Sequence, residues 1–169
     1  MDTLTLTFNL HPPSENDIKD IRWFRAGGVR KAAIGYTTQA ESWKRKFSDA
    51  MRAEFFVEIT KFRREHRVTD LYTVQVALDF EEADILNKTW LKGGKGKAKS
   101  PYKKVDGPNR NKLLLDAVAE VLDIDDSLFF GVCVRKFAGM SSSLAVIVER
   151  ADPLEFGVPQ EYLEASDEG

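Results

Sequence analysis

The feature that most constrains this chain is the way its hydrophobic period changes from two to about 3.6 and back again. Residues 3–10 alternate, with Leu4, Leu6, Phe8 and Leu10 on one side and Thr3, Thr5, Thr7 and Asn9 on the other, the pattern of a half-buried strand. Residues 38–67 take helical spacing, with Trp43, Phe47, Ala50, Met51, Phe55 and Ile59 on one side and Thr37 or Thr38 as the cap. Residues 72–80 alternate once more, Val74, Val76, Leu78 and Phe80 sharing a face. A second helical pattern covers 108–122, and strands follow at 129–137 and 144–149. The order strand, helix, strand, helix, strand, strand predicts a single α+β (mixed α/β) domain. Residues 138–143 are a hairpin-length connection between the last two strands, so an antiparallel component is expected.

The connecting segments carry most of the charge. His11-Pro12-Pro13-Ser14 ends the first strand, because proline cannot donate to a ladder. Residues 15–37 read as an irregular loop in which Arg22, Arg25, Arg30 and Lys31 are interleaved with Trp23, Phe24 and Tyr36 around Gly27-Gly28. Such a loop suits a phosphate backbone, or equally a cover over the core. Residues 81–105 read as a long insertion ending in LKGGKGKAKSPYKK. Its glycines and lysines lack the Gly-Lys-Ser/Thr ending of a Walker A loop, so no nucleotide cofactor is expected. The chain turns acidic after Val148, which predicts a domain over residues 1–150 and a mobile acidic tail over 151–169.

No basic leader precedes an apolar stretch, and no apolar run approaches about 18 residues, so an uncleaved cytoplasmic protein with no membrane partner is expected. Cys133 is the one cysteine and His11 and His66 the only histidines, which excludes an internal disulfide and a Cys/His zinc site. Any bound metal must therefore be held by oxygen. The net charge of −2 conceals a separation: between residues 88 and 112, nine lysines and arginines face the single acid Asp106. A local positive field is expected there, with Lys95, Lys97, Lys99, Lys103 and Lys104 as its centre.

The helix at 108–122 is bracketed by acids, Asp106 before it and Asp123, Asp125 and Asp126 after it. Leu114, Ala117, Val118 and Val121 form its apolar side, and Asn109, Lys112, Asp116 and Glu120 its polar stripe. Each part has an ordinary explanation. Asp106 suits a helix start, Lys112 and Asp116 suit an ion pair four residues apart, and Asp125-Asp126-Ser127 suits a turn. Together they compose an oxygen-ligand site beside a cation.

The pattern D-x-x-N-x-x-K, an apolar helix with an internal Asp-Ala, then Ile-Asp-Asp-Ser before a strand bearing Arg135-Lys136, resembles the RusA family of Holliday junction resolvases. Pro12-Pro13-Ser14-x-Asn16 is similar to that family's opening motif. The resemblance spans about residues 3–148 and is most specific over 106–127. It implies a homodimeric, Mg2+-dependent endonuclease, with Mn2+ as substitute, that nicks branched DNA to leave 5′-phosphate and 3′-hydroxyl ends in the cytoplasm, that of the host if phage-encoded. By the same resemblance Asp106, Lys112 and Asp126 are catalytic, Asp106, Asp126 and Asp125 hold the metal, and Asn109 and Asp116 support them. The basic residues of the two loops would contact DNA. One position departs: proline, Pro108, stands where the family carries a second metal-binding aspartate. A non-catalytic branched-DNA-binding relative therefore stays open, as does a structural or assembly protein whose acids are only caps and turns.

One geometric problem follows. An intact helix of this length separates its two ends by roughly 20 Å, at about 1.5 Å per residue. Asp126 approaches the helix start only if the chain doubles back along it, or if a two-fold partner supplies the missing acid.

Overall fold

The computed structural model describes residues 3–9, 11–13, 17–67, 69–87, 90, 100–102 and 108–160; for 22–24, 26, 82, 83, 108 and 109 the description is confined to the backbone. Six strands and four helices appear among these residues: β1 (Thr3–Phe8), β2 (Lys19–Ala26), β3 (Val29–Tyr36), α1 (Thr38–Glu54), α2 (Phe56–Glu65), β4 (Leu71–Glu81), the short α3 (Glu82–Ile85), α4 (Pro108–Leu122), β5 (Phe129–Gly139) and β6 (Ser143–Ala151). The fold is α+β. A mixed sheet runs in the order β1-β6-β4-β5, and β2 and β3 form a separate two-stranded ribbon.

The alternation of the strands selects the buried face. Leu4 and Leu6 of β1, Val74 and Leu78 of β4, and Leu144, Val146 and Val148 of β6 are fully or almost fully buried beneath α1, α2 and α4. The opposite face carries Thr5, Thr7, Gln75 and Glu149, the last two joined by a 3.0 Å hydrogen bond. On the helical side, Trp43 stacks on Phe47 and Phe8 packs against both Phe47 and Phe55. Leu113, Leu114, Ala117, Val118, Val121 and Leu122 sink the apolar side of α4 into the same core.

Three expectations are corrected. The segment read as an irregular loop is an antiparallel ribbon, Lys19 opposite Tyr36 through Ala26 opposite Val29. Gly27 and Gly28 close it, both with positive φ (59° and 80°), the backbone that a two-residue turn requires and that glycine adopts without steric cost. The helix expected over 38–67 breaks at Phe55, where φ −121° and ψ 30° leave the helical region. The break turns α2 so that Ile59 and Phe62 are buried while Phe56 and Val57 face outward. Finally, β5 and β6 are not neighbours. β4 lies between them, parallel to β5 and antiparallel to β6, so the short connection crosses the end of β4 instead of closing a hairpin. Direction reversal was legible in the alternation, but adjacency was not. The antiparallel component lies in β1–β6 and β4–β6.

The insertion after β4 is closed at its base by a bridge between Leu86 and Tyr102 and by Asn87 N–H donating to Pro101 O at 2.7 Å. Beyond the domain boundary expected at residue 150, β6 runs on to Ala151 and a 3-10 turn, Pro153–Phe156, sets Phe156 edge-on against Phe130. Residues 161–169 of the expected tail lie outside the described residues. No helix among the described residues is long and apolar enough to cross a membrane.

Candidate active site

Three separate pieces of chain meet on the polar stripe of α4. Lys112 and Asp116 are one turn apart on the helix, and Lys112 Nζ donates to Asp116 Oδ1 at 3.1 Å. The same ammonium donates to Asp126 Oδ2 at 3.2 Å. From the end of β3, the Tyr36 hydroxyl donates to Asp116 Oδ2. Asp116 thus has both oxygens engaged and its side chain is only 19% exposed, whereas that of Asp126 is 48% exposed. The shielded carboxylate orients the lysine, and the open one faces solvent.

The chain after α4 supplies the geometry. Asp123 takes a left-handed conformation, φ 60°, and Ile124 N–H returns to Ala119 O at 3.1 Å, a helix ending that reverses the chain. Arg63 of α2 holds that end by donating to Val121 O from Nε at 3.2 Å and from Nη2 at 2.7 Å, placing a cation on the negative end of the helix dipole. Asp125 then caps a 3-10 turn, Asp126–Leu128, its Oδ1 accepting from Ser127 N–H at 2.8 Å. The chain turns back far enough for Asp126 to lie against α4 and reach Lys112, while Asp106 lies outside the described residues.

The electrostatics follow from these contacts. Hydrogen bonds from Lys112 to Asp116 and Asp126, followed by the Asp116 charge, raise the Lys112 ammonium above the ordinary lysine range. Burial raises the Tyr36 phenol, and its bond to Asp116 and the charges of Asp116 and Asp126 raise it further, so Tyr36 stays a donor. The Ser127 side chain and backbone hold the Asp125 carboxyl below its ordinary value. Two carboxylates on one ammonium leave the cluster net negative.

No family model matches the chain, and no curated protein does.

The remaining residues singled out in the sequence fall in different places. Asp106, Lys95, Lys97, Lys99, Lys103 and Lys104 lie outside the described residues, and Asn109 is placed only as backbone in the first turn of α4. Asp125 is committed to the turn. Arg25, Arg30 and Lys31 are exposed on the ribbon, and Arg22 is placed only as backbone in β2. Arg110, counted in the basic run, is instead 8% exposed, and its Nε donates to Pro13 O at 2.9 Å, pinning the Pro12-Pro13 segment to the first turn of α4. Tyr36 was missed as a site residue. The signal for it was Gly27-Gly28: a two-residue turn fixes the pairing of β3 with β2, ends the ribbon at Tyr36 and hands the chain to α1.

Of the described carboxylates here, Asp126 is the open one, an oxygen donor of the kind a hard divalent cation takes, and it already accepts from the Lys112 ammonium. Among the described residues no group of three or more acids, histidines or cysteines is close enough to enclose a metal ion.

Proposed function

We propose that this protein is a Mg2+-dependent endonuclease of branched DNA, resembling the RusA resolvases and working as a homodimer. The observation that carries the reading is the convergence of Lys112 with Asp126 across a reversed chain, which brings the last residue of the Asp-x-x-Asn-x-x-Lys pattern to the Asp-Asp turn. A net-negative cluster repels a phosphodiester unless a cation reverses its sign. Asp126 and Asp106 would hold that cation. When bound, it polarises the phosphate and lowers the pKa of a water that serves as nucleophile.

The chain's own groups supply the rest. Hydrolysis forms a bond from a water oxygen to phosphorus and breaks the bond from phosphorus to O3′, leaving a 5′-phosphate and a 3′-hydroxyl. Lys112 offsets negative charge that builds on the phosphoryl oxygens, an interaction stronger in the transition state than in the bound substrate. Asp116, fixed in turn by Tyr36, holds the ammonium in place. Two copies related by a two-fold axis would address the two symmetric strands of a four-way junction.

A second reading is favoured by Pro108 at the first position of α4. Proline there is ordinary helix-start chemistry and offers no ligand, so this chain would bind junctions without cutting them. Incubating the protein with a labelled four-way junction and a matched linear duplex, in Mg2+ or EDTA, separates the two. Paired nicks in the junction alone, lost in EDTA, support the endonuclease. Tight junction binding without nicks supports the second reading, and equal indifference to both DNAs overturns both.

A further inference from the structure

The β2–β3 ribbon extends from the candidate site and has no partner strand among the described residues. β3 is exposed from Val29 to Ile34. A lone two-stranded ribbon is marginal in water, so its base must hold it. Here the base is firm: Ile18 is fully buried, Thr37 N–H donates to Ile18 O at 2.9 Å, and the Thr37 hydroxyl donates to Asp17 O. The Tyr36 hydroxyl bonds Asp116 directly, so the ribbon and the Lys112 cluster are fixed to one another.

Its chemistry points to a polyanion. Lys19, Arg22, Arg25, Arg30 and Lys31 face one acid, Asp20, within residues 19–36 of a chain whose net charge is −2. Arg25 stands opposite Arg30 at the tip, so two cationic side chains share one cross-strand position on the same face as Ile21 and Ile34. Between tip and base, the pair Ile21 and Ile34 is left 55% and 72% exposed. A ribbon of two strands is narrow enough for the roughly 12 Å major groove of duplex DNA.

We infer that this ribbon is an arm that lies along duplex DNA beside the cut, with Arg25 and Arg30 on backbone phosphates and Ile21 and Ile34 against sugar and base edges. The inference rests on the nuclease reading above and adds its reach. Arg30 is six positions from Tyr36 along β3, so at about 3.3 Å per residue the arginine pair sits roughly 20 Å from the site, equivalent to about 6 base pairs. The arm therefore engages one duplex limb of a branched substrate while the Lys112 cluster sits at the scissile phosphate.

The experiment compares the full-length protein with an Arg25→Ala/Arg30→Ala variant and an Arg25→Lys/Arg30→Lys variant. It measures four-way-junction affinity across a salt series and the footprint on each limb. Expected for the alanine variant are a loss of about tenfold or more in affinity, a log–log salt slope reduced by about two, and a footprint shortened by about 6 base pairs on one limb. The lysine variant should recover the slope, and thermal melting should match the parent, because both positions are exposed. If the parent binds junctions but the alanine variant has the same slope and footprint, the arm is wrong and the site reading stands. If DNA binding is unchanged and sedimentation shifts instead, the ribbon is a protein-docking arm and the inference is overturned. A parent protein without salt-dependent junction binding overturns the nuclease reading, and the arm with it.

Discussion

Lys112 and Asp126 are fourteen positions apart in sequence, yet the ammonium of one lies 3.2 Å from the carboxylate of the other. Asp116 holds the same ammonium at 3.1 Å, so removing Lys112 leaves two carboxylates facing each other without their cation. Lys112→Met is expected to cost about 0.5 to 1 kcal/mol of stability, since the lysine is 54% exposed and solvent screens the pairs. The effect on junction cleavage should be far larger, about 100- to 1000-fold, because the charge acts in the transition state. Urea denaturation beside single-turnover cleavage separates the two quantities.

Tyr36→Phe tests the tie between ribbon and site. The hydroxyl is one of two donors on a partly buried carboxylate, and hydrogen bonds to charged groups contribute more than neutral ones. A loss of about 1 to 2 kcal/mol is expected, with faster amide exchange along β2 and β3 than in the sheet strands β4 and β6. Unchanged exchange in the ribbon would mean that Ile18 and Thr37 fix its base without Tyr36.

Arg63→Met removes the cation that holds the last turn of α4. Losing a charged partner for Val121 O should cost about 1 kcal/mol and loosen the reversal through Asp123 that carries Asp126 to Lys112. Denaturant unfolding gives the first effect. Amide exchange at Ile124 and Ser127 gives the second.

Stability should fall as the pH drops below about 6.5, the ordinary histidine value. His11 stacks on Phe80 with ring centroids 4.5 Å apart, and burial lowers its pKa, the Asp79 backbone opposing and Arg110 adding to the shift. A histidine with a depressed folded pKa contributes stability that is complete above its unfolded value and is lost as pH falls toward the folded value. His11→Phe should flatten the melting temperature over that window. An equally steep profile in the variant would place the pH dependence elsewhere.

Much of the fold was readable because strand alternation and helix periodicity are local. Leu4, Leu6, Phe8, Val74, Val76, Leu78 and Phe80 were placed on shared faces by period alone, and all are buried. The ribbon was missed because Arg22, Arg25, Arg30 and Lys31 break the alternation that a half-buried strand shows, and a strand exposed on both faces has no reason to alternate. The insertion of β4 between β5 and β6 was hidden for a different reason. Strand order depends on which edges meet in space, and FFGVCVRKF followed by LAVIVE reads the same for a hairpin as for a crossing. In the site, spacing offered only the Lys112–Asp116 pair and the Asp125-Asp126 turn, and the family resemblance gave them roles, while their meeting depended on the left-handed Asp123. Tyr36, eighty residues from Asp116, had no local signal apart from the glycine pair.

The most direct test is single-turnover cleavage of a labelled four-way junction in Mg2+ by the parent protein and by Asp126→Asn, with junction affinity measured in parallel. Asp126 is a half-exposed carboxylate on the surface, so the substitution should leave folding and DNA binding intact. The account predicts paired, symmetric nicks by the parent and a loss of at least 100-fold in rate for the variant at unchanged affinity. A variant that cuts as fast as the parent, or a parent that binds the junction and never nicks it, would contradict it.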